Sequence, residues 1–286
     1  MKLPTRVFSH CLAHYLPTPP AITPKMLKKL LAVDRERGFA GMVIVPALIP
    51  KHYSANAICE PFQETGMQGL SCGFVAGNGP SQFKEPKLVL KALRRPARIT
   101  ARLAERRLGP PRMVGPVHTH HGQKMPGWSV DGFFEWGEAL SRLAAEFDIE
   151  IAMEPLNKTE DKTPQPFGLI HRLIESFERL RMHYDTGHAH AHGIPLAQFC
   201  KMLQTIGYFE FANVGRLPLS VDKGIDFNAY VRAMADLPAD CVIGDEPFDP
   251  SVIEIFGLQK ICKTKVLGPE CLEQDAAYLR KLRVMA

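Results

Sequence analysis

The sequence predicts a single α/β domain, a (β/α)8 or TIM barrel spanning residues 1–286, on three observations. Short apolar runs alternate with longer amphipathic ones, the short runs number eight, and no G-x-G-x-x-G turn follows the first of them. Alternation calls for parallel strands joined by helical crossovers, and eight such units favour a closed barrel over an open dinucleotide-binding sheet.

The strand candidates are 6–10, 41–46, 70–76, 112–117, 149–154, 181–186, 208–214 and 241–245. Helical patterns fall between them near 23–38, 86–108, 129–147, 166–179, 196–206 and 227–237, and a last helix near 270–284 closes the chain. The link after the second strand is irregular, with at most a short helix from Pro61 to Thr65. The helix at 129–147 has the clearest pattern: Ser129 is placed to cap it, and Phe133, Trp136, Leu140, Leu143 and Phe147 recur at three- and four-residue steps, as a barrel-facing stripe does. Gly77-Asn78-Gly79-Pro80, Gly109-Pro110-Pro111 and the stretch from Gly122 to Gly127 read as short loops, and neither a linker nor an internal repeat is present.

Composition narrows the function. With 45% hydrophobic and 23% charged residues the chain can bury one sizeable core, and its net charge of +5 is too mild for a nucleic-acid arm. The densest basic stretch, from Arg94 and Arg95 through Arg98, Arg102, Arg106 and Arg107, lies on a helical pattern and reads as a solvated helix face. No apolar run is long enough to span a membrane. The seven cysteines are odd in number, none pair as C-x-x-C, and no secretory segment follows Met1, so free thiols in a reducing cytoplasm are expected.

The chemistry of such a barrel sits at the C-terminal ends of its strands. Glu154 closes the fifth apolar run ahead of Pro155, Asp185 and His188 stand where the sixth turns into a loop, Glu210 lies between Phe209 and Phe211 in the seventh, and Glu246 follows the eighth. One carboxylate in such a place is usually a cap or a salt-bridge partner. Four on consecutive strands would repel one another unless a cation neutralised them, and a divalent ion held by hard oxygen ligands does so. The expected metal set is therefore Glu154, Asp185, Glu210 and one of the two acids that end the eighth strand, Asp245 or Glu246. His188, one short turn after Asp185, can reach the same place. His190 and His192 read as polar loop residues, and for His118, His120 and His121 after the fourth strand a loop role and a substrate role are both open.

At these residues the chain resembles the xylose-isomerase-like sugar epimerases and isomerases, especially ketose 3-epimerases of the D-tagatose/D-psicose type. The likeness runs over most of the chain and is tightest from 149 to 246. Glu154-Pro155-Leu156-Asn157-Lys158-Thr159-Glu160 looks like the family's strand-five motif, Asp185-Thr186-Gly187-His188 like its strand-six motif, and Met113-Val114-Gly115-Pro116 like its strand-four ending. The resemblance implies a metal at Glu154, Asp185 and Glu246, proton transfer by Glu154 and Glu246, and substrate contacts from Glu160, His188 and Arg216. It implies a small sugar as substrate, a homo-oligomer as a compatible state, and Mn²⁺ as the metal, with Mg²⁺ or Co²⁺ as substitutes. The chain departs from the pattern where the family carries a metal-ligating histidine, six residues before Arg216, because Glu210 stands there. It also lacks the family's Pro-Gly run after the arginine. Three other readings use the same barrel: a nuclease of the endonuclease IV type, an inosose dehydratase or hydroxypyruvate isomerase, and a non-catalytic sugar-binding barrel. The nuclease needs several further histidines, and the second and third strands end in Val45-Pro46-Ala47 and Val75-Ala76-Gly77 without one.

Overall fold

The computed structural model describes residues 7–14, 22–74, 80–119, 126–250 and 265–285. Eight parallel strands close into a barrel in sequence order, β1 (Val7–His10), β2 (Gly41–Ile44), β3 (Gln68–Cys72), β4 (Arg112–Gly115), β5 (Glu150–Met153), β6 (Leu180–Asp185), β7 (Ile206–Phe211) and β8 (Val242–Asp245), with β1 bonded to β8. Outside it run α1 (Pro24–Glu36), α2 (Ala55–Thr65), α3 (Pro86–Glu105), α4 (Val130–Glu146), α5 (Pro166–Ser176), α6 (Thr186–Ala191), α7 (Leu196–Met202), α8 (Phe227–Ala233) and α9 (Gly268–Lys281). The (β/α)8 expectation is met.

Alternation along each strand sorts the side chains into two cores. Between strands and helices lies the larger, where Trp136, Phe133 and Leu140 of α4 are buried as their spacing implies, and Ser129 Oγ caps α4 by accepting from Gly132 N–H at 3.0 Å. Inside the barrel, Phe8, Val43, Leu70, Val114, Ala152, Tyr208 and Val242 fill a middle layer. Below it, at the N-terminal end, Arg112 is 3% exposed and donates to Gly207 O and Asp240 O, both at 2.8 Å, to Asp240 Oδ2 at 2.7 Å and to Glu150. Burial would lower its pKa, but Glu150 and Asp240 outweigh that and raise it. An ionic plug thus closes the bottom, an apolar layer fills the middle, and the inward residues one step further up form the top.

Several local expectations change. The second link holds an eleven-residue helix rather than a single turn around Pro61. Proline argues against a helix interior because it has no N–H to donate; here the two ends decide, with Ser54 Oγ capping Ala57 N–H at 3.2 Å and Gly66 closing the helix at φ +68°. The seventh strand begins at Ile206, because the helix before it stops at Met202 and a 3₁₀ turn, Leu203–Thr205, finishes the link. The stretch after Asp185 is a short helix and not a loop, as Asp185 Oδ1 accepts the N–H of His188 at 2.7 Å and caps it. The basic face of α3 is not simply solvated. Arg95 donates to Ile49 O and Pro50 O at 2.8 and 3.0 Å, Arg94 pairs with Glu146, and Arg102 reaches Asn56. His120, His121, Cys262, the third strand beyond Phe74, Gly77 to Gly79 and Gly122 lie outside the described residues. Among the described residues no helix is long and apolar enough to cross a membrane.

Arg112→Ala should lower the free energy of unfolding by on the order of 3 kcal/mol, since it strands buried acceptors beneath the barrel. Denaturant titration measures the loss. Divalent-ion affinity should stay unchanged, because the plug and the carboxylate rim are at opposite ends.

Candidate metal centre and active site

The upper inward positions bring the expected carboxylates together. Glu154, Asp185, Glu210 and Glu246 are 4%, 0%, 0% and 7% exposed, and one oxygen from each lies within 4.8 Å of the others. Ligand oxygens about 2.0–2.6 Å from one ion sit at most ~5 Å apart, so the four can hold a single cation. Two overlapping sets also qualify, Glu154 with Asp185 and His188, and Glu154 with His183 and Glu210.

The carboxylates share three basic partners, Arg216, His183 and His188. Arg216 Nη1 lies 2.8 Å from Asp185 Oδ2 and 2.6 Å from Glu246 Oε2. Its guanidinium is covered by Phe248, 4.8 Å from ring centroid to Cζ. Arg216 reaches inward because Gly215 and Arg216 both adopt left-handed backbone, at φ +70° and +55°. Arginine in that region is strained, and Asn213 holds the bend by donating to Pro218 O and Val221 O at 2.9 and 2.8 Å. Burial would lower the Arg216 pKa, yet Glu246 and Asp185 drive it well above its ordinary value.

Glu210 sits lowest. His183 Nε2 is 2.8 Å from its Oε2, and the Tyr208 hydroxyl donates to its Oε1 at 2.9 Å. That hydroxyl fits only because position 244 is glycine: a Cβ there would lie 1.8 Å from it. Both oxygens of Glu210 are therefore anchored from beneath, and the histidine missing from position 210 has a neighbour of the same chemistry on β6. His183 Nδ1 also faces Glu154 Oε2 at 3.7 Å. Burial raises the Glu210 and Glu246 pKa values, and for Glu246 Arg216 only partly offsets it. Glu154 goes the other way: burial raises it, but His183, His188 and Arg216 prevail and lower it.

His188 Nε2 is 3.3 Å from Glu154 Oε1 and 3.2 Å from Arg216 Nη2, while its Nδ1 accepts from the Asn157 N–H at 3.2 Å. Burial lowers this imidazole and Asp185, Glu160 and Glu154 raise it, the carboxylates prevailing at about 9. A second proton would have to displace the Asn157 contact at Nδ1. Glu160 is 3% exposed and bonds Asn157 Nδ2, so it joins the cluster through Asn157 and His188. All seven residues singled out from the sequence, Glu154, Glu160, Asp185, His188, Glu210, Arg216 and Glu246, thus belong to one network, of which Glu210 is the floor.

The other histidines separate cleanly. His190 is exposed, and His192 bonds Leu156 O at 2.8 Å. His118 is fully buried and bonds Asp161 Oδ2 at 2.8 Å, which ties the loop after β4 to the loop after β5. Sequence reasoning passed over His10, His183 and Asn157. Strand parity would have found the first two: His10 follows Phe8 on the inner face, and His183 precedes Asp185.

The family model described as xylose isomerase-like TIM barrel matches residues 35–282. No curated protein sequence matches the chain. An L-ribulose 3-epimerase structure superposes at TM-score 0.81 with 17% identity over 98% of this chain and 96% of that one. A D-allulose 3-epimerase from Methylomonas sp. in complex with D-allulose superposes at 0.77 with 16% identity, covering 98% and 99%. A 3-keto-D-glucoside 4-epimerase from E. coli follows at 0.70 with 19% identity, covering 97% and 99%. At such identities the likeness to these structures is one of fold.

Calorimetric titration with Mn²⁺ should show one ion bound per chain, and Asp185→Asn should abolish binding. Glu210 and Glu246 hold protons to a higher pH than ordinary carboxylates. Binding must release those protons, so affinity should fall as pH drops through the raised values and the heat should vary with buffer ionisation enthalpy. A pH-independent affinity down to the ordinary carboxylate range would show that neither residue meets the ion.

Proposed function

Because the chain belongs to the xylose isomerase-like TIM-barrel family, we propose that it is a divalent-metal-dependent ketose epimerase or isomerase that moves a proton at a carbon next to a carbonyl. The observation carrying this reading is the buried four-carboxylate rim with Arg216 and His188 bonded into it. The donor set fits a hard divalent ion, of which Mn²⁺ is the first choice and Mg²⁺ or Co²⁺ alternatives. When bound, such an ion polarises a carbonyl and makes the adjacent C–H more acidic.

The chain's own groups supply the rest. Glu154 and Glu246 rise from β5 and β8, on different sides of the barrel mouth, so one can take a proton from one face of a planar enediolate and the other return it to the opposite face. Glu154, whose neighbours depress its pKa, is the better carboxylate for receiving a proton at first contact. Arg216, held by Asp185 and Glu246, and His188, oriented through Nδ1 by Asn157, present N–H groups to the oxygen on which charge develops. Glu160 orients a hydroxyl from the Asn157 side. A carboxylate-dominated rim suits this chemistry better than the histidine-rich site of a three-zinc nuclease.

In D₂O with Mn²⁺, the protein should incorporate deuterium from solvent into at least one member of a ketose panel that includes D-allulose and L-ribulose, read by mass spectrometry. Glu154→Gln and Glu246→Gln should each abolish incorporation. Arg216→Ala and His188→Ala should lower kcat/KM by roughly 10²-fold while leaving Mn²⁺ bound. Absence of exchange with every ketose, metal being bound, would refute the reading, and loss of metal from His188→Ala would make that residue a ligand.

A further inference from the structure

His10 takes no part in the chemistry just described, yet its ring stands in the same chamber. It is 3% exposed on the inner face of β1, one layer above Phe8. The strand register pairs Phe8 with Gly244, so two residues further along His10 comes level with Glu246. Its Nδ1 accepts the backbone N–H of Leu12 at 3.2 Å, in the turn that follows the strand. An imidazole that accepts at Nδ1 carries its proton on Nε2. That Nε2 lies 3.8 Å from Glu246 Oε1, beyond the ~3.2 Å of an N–H···O bond. No hydrogen bond among the described residues uses it. The opposite oxygen of Glu246 is taken by Arg216. Phe248, 6.5 Å from the His10 ring and 4.8 Å from the Arg216 guanidinium, walls the space on one side.

We infer that His10 is a substrate-contacting residue, which presents a neutral Nε2–H to a substrate hydroxyl or carbonyl oxygen beside Glu246. This rests on the reading under Proposed function for the class of ligand, a polyhydroxylated ketose. The neutral form suits the location. A donor without charge leaves the cation balance of the rim unaltered, while distinguishing an oxygen from a hydrogen at the carbon it faces. A site that hydrogen-bonds a hydroxyl discriminates against an analogue lacking it, because the donor is then left unpaired. His10 therefore reads one substituent of the sugar.

Two measurements test this. In ¹⁵N-labelled, Mg²⁺-loaded protein, long-range ¹H–¹⁵N spectra should show the His10 ring protonated on Nε2 at neutral pH, and D-allulose should shift that proton. His10→Phe, which keeps a ring but removes the donor, should lower kcat/KM for ketose exchange about tenfold with Mn²⁺ affinity and Tm preserved, and His10→Gln, whose amide reaches a similar point, should recover much of the loss. A shifted Nε2–H in a protein that exchanges no ketose would remove the epimerase reading and keep His10 as a sugar contact. A ring protonated on Nδ1, no shift with D-allulose, or a His10→Phe variant as active as the parent would overturn the inference.

Discussion

Like charge held at close quarters is the constraint on which this end of the barrel depends. Four carboxylate oxygens lie within 4.8 Å of one another on side chains that are all buried, and ionised carboxylates so placed repel strongly in a medium of low polarisability. Arg216 answers two of them, His183 and His188 the others, and the local structure is bent to that end. Arg216 accepts left-handed backbone to reach inward. Asp185 serves at once as helix cap and as ion-pair partner. Gly244 gives up a side chain so that Tyr208 can steady Glu210.

The barrel makes this affordable by layering. Apolar side chains occupy the middle of the interior, and a separate ionic plug centred on Arg112 satisfies the lower end. Among the described residues, the layer directly beneath the rim is apolar apart from the groups that address Glu210. The hydrogen bonds from His183 and Tyr208 fix where Glu210 stands relative to the other carboxylates.

The departure at position 210 takes on a different meaning in three dimensions. In sequence it exchanges an imidazole for a carboxylate. In space the imidazole of His183 lies 2.8 Å away on the neighbouring strand, so the pair offers the rim one carboxylate and one imidazole. Glu210 remains oriented toward the other three acids while both of its oxygens accept hydrogen bonds, which restricts how it can turn.

The sequence by itself determined the architecture and the polar residues of the last four strands. Eight apolar runs fix eight strands because burial on both faces needs continuous apolar side chains, and a carboxylate ending each of four consecutive runs can only arrive at one rim once the barrel closes. It did not determine the helix around Pro61, whose caps at Ser54 and Gly66 outweigh a local breaker, nor the helical turn after Asp185. It left His10 and His183 unremarked, because strand parity gives the face a histidine occupies but not its partner, which the neighbouring strand supplies. Tertiary structure alone decided that His183 lies under Glu210, that Asn157 turns His188, that Arg216 bridges Asp185 and Glu246, and that His190 and His192 point elsewhere. The physical reason is that these are contacts between strands and loops distant in the chain, set by the stagger of strands around a closed barrel, which no local periodicity encodes.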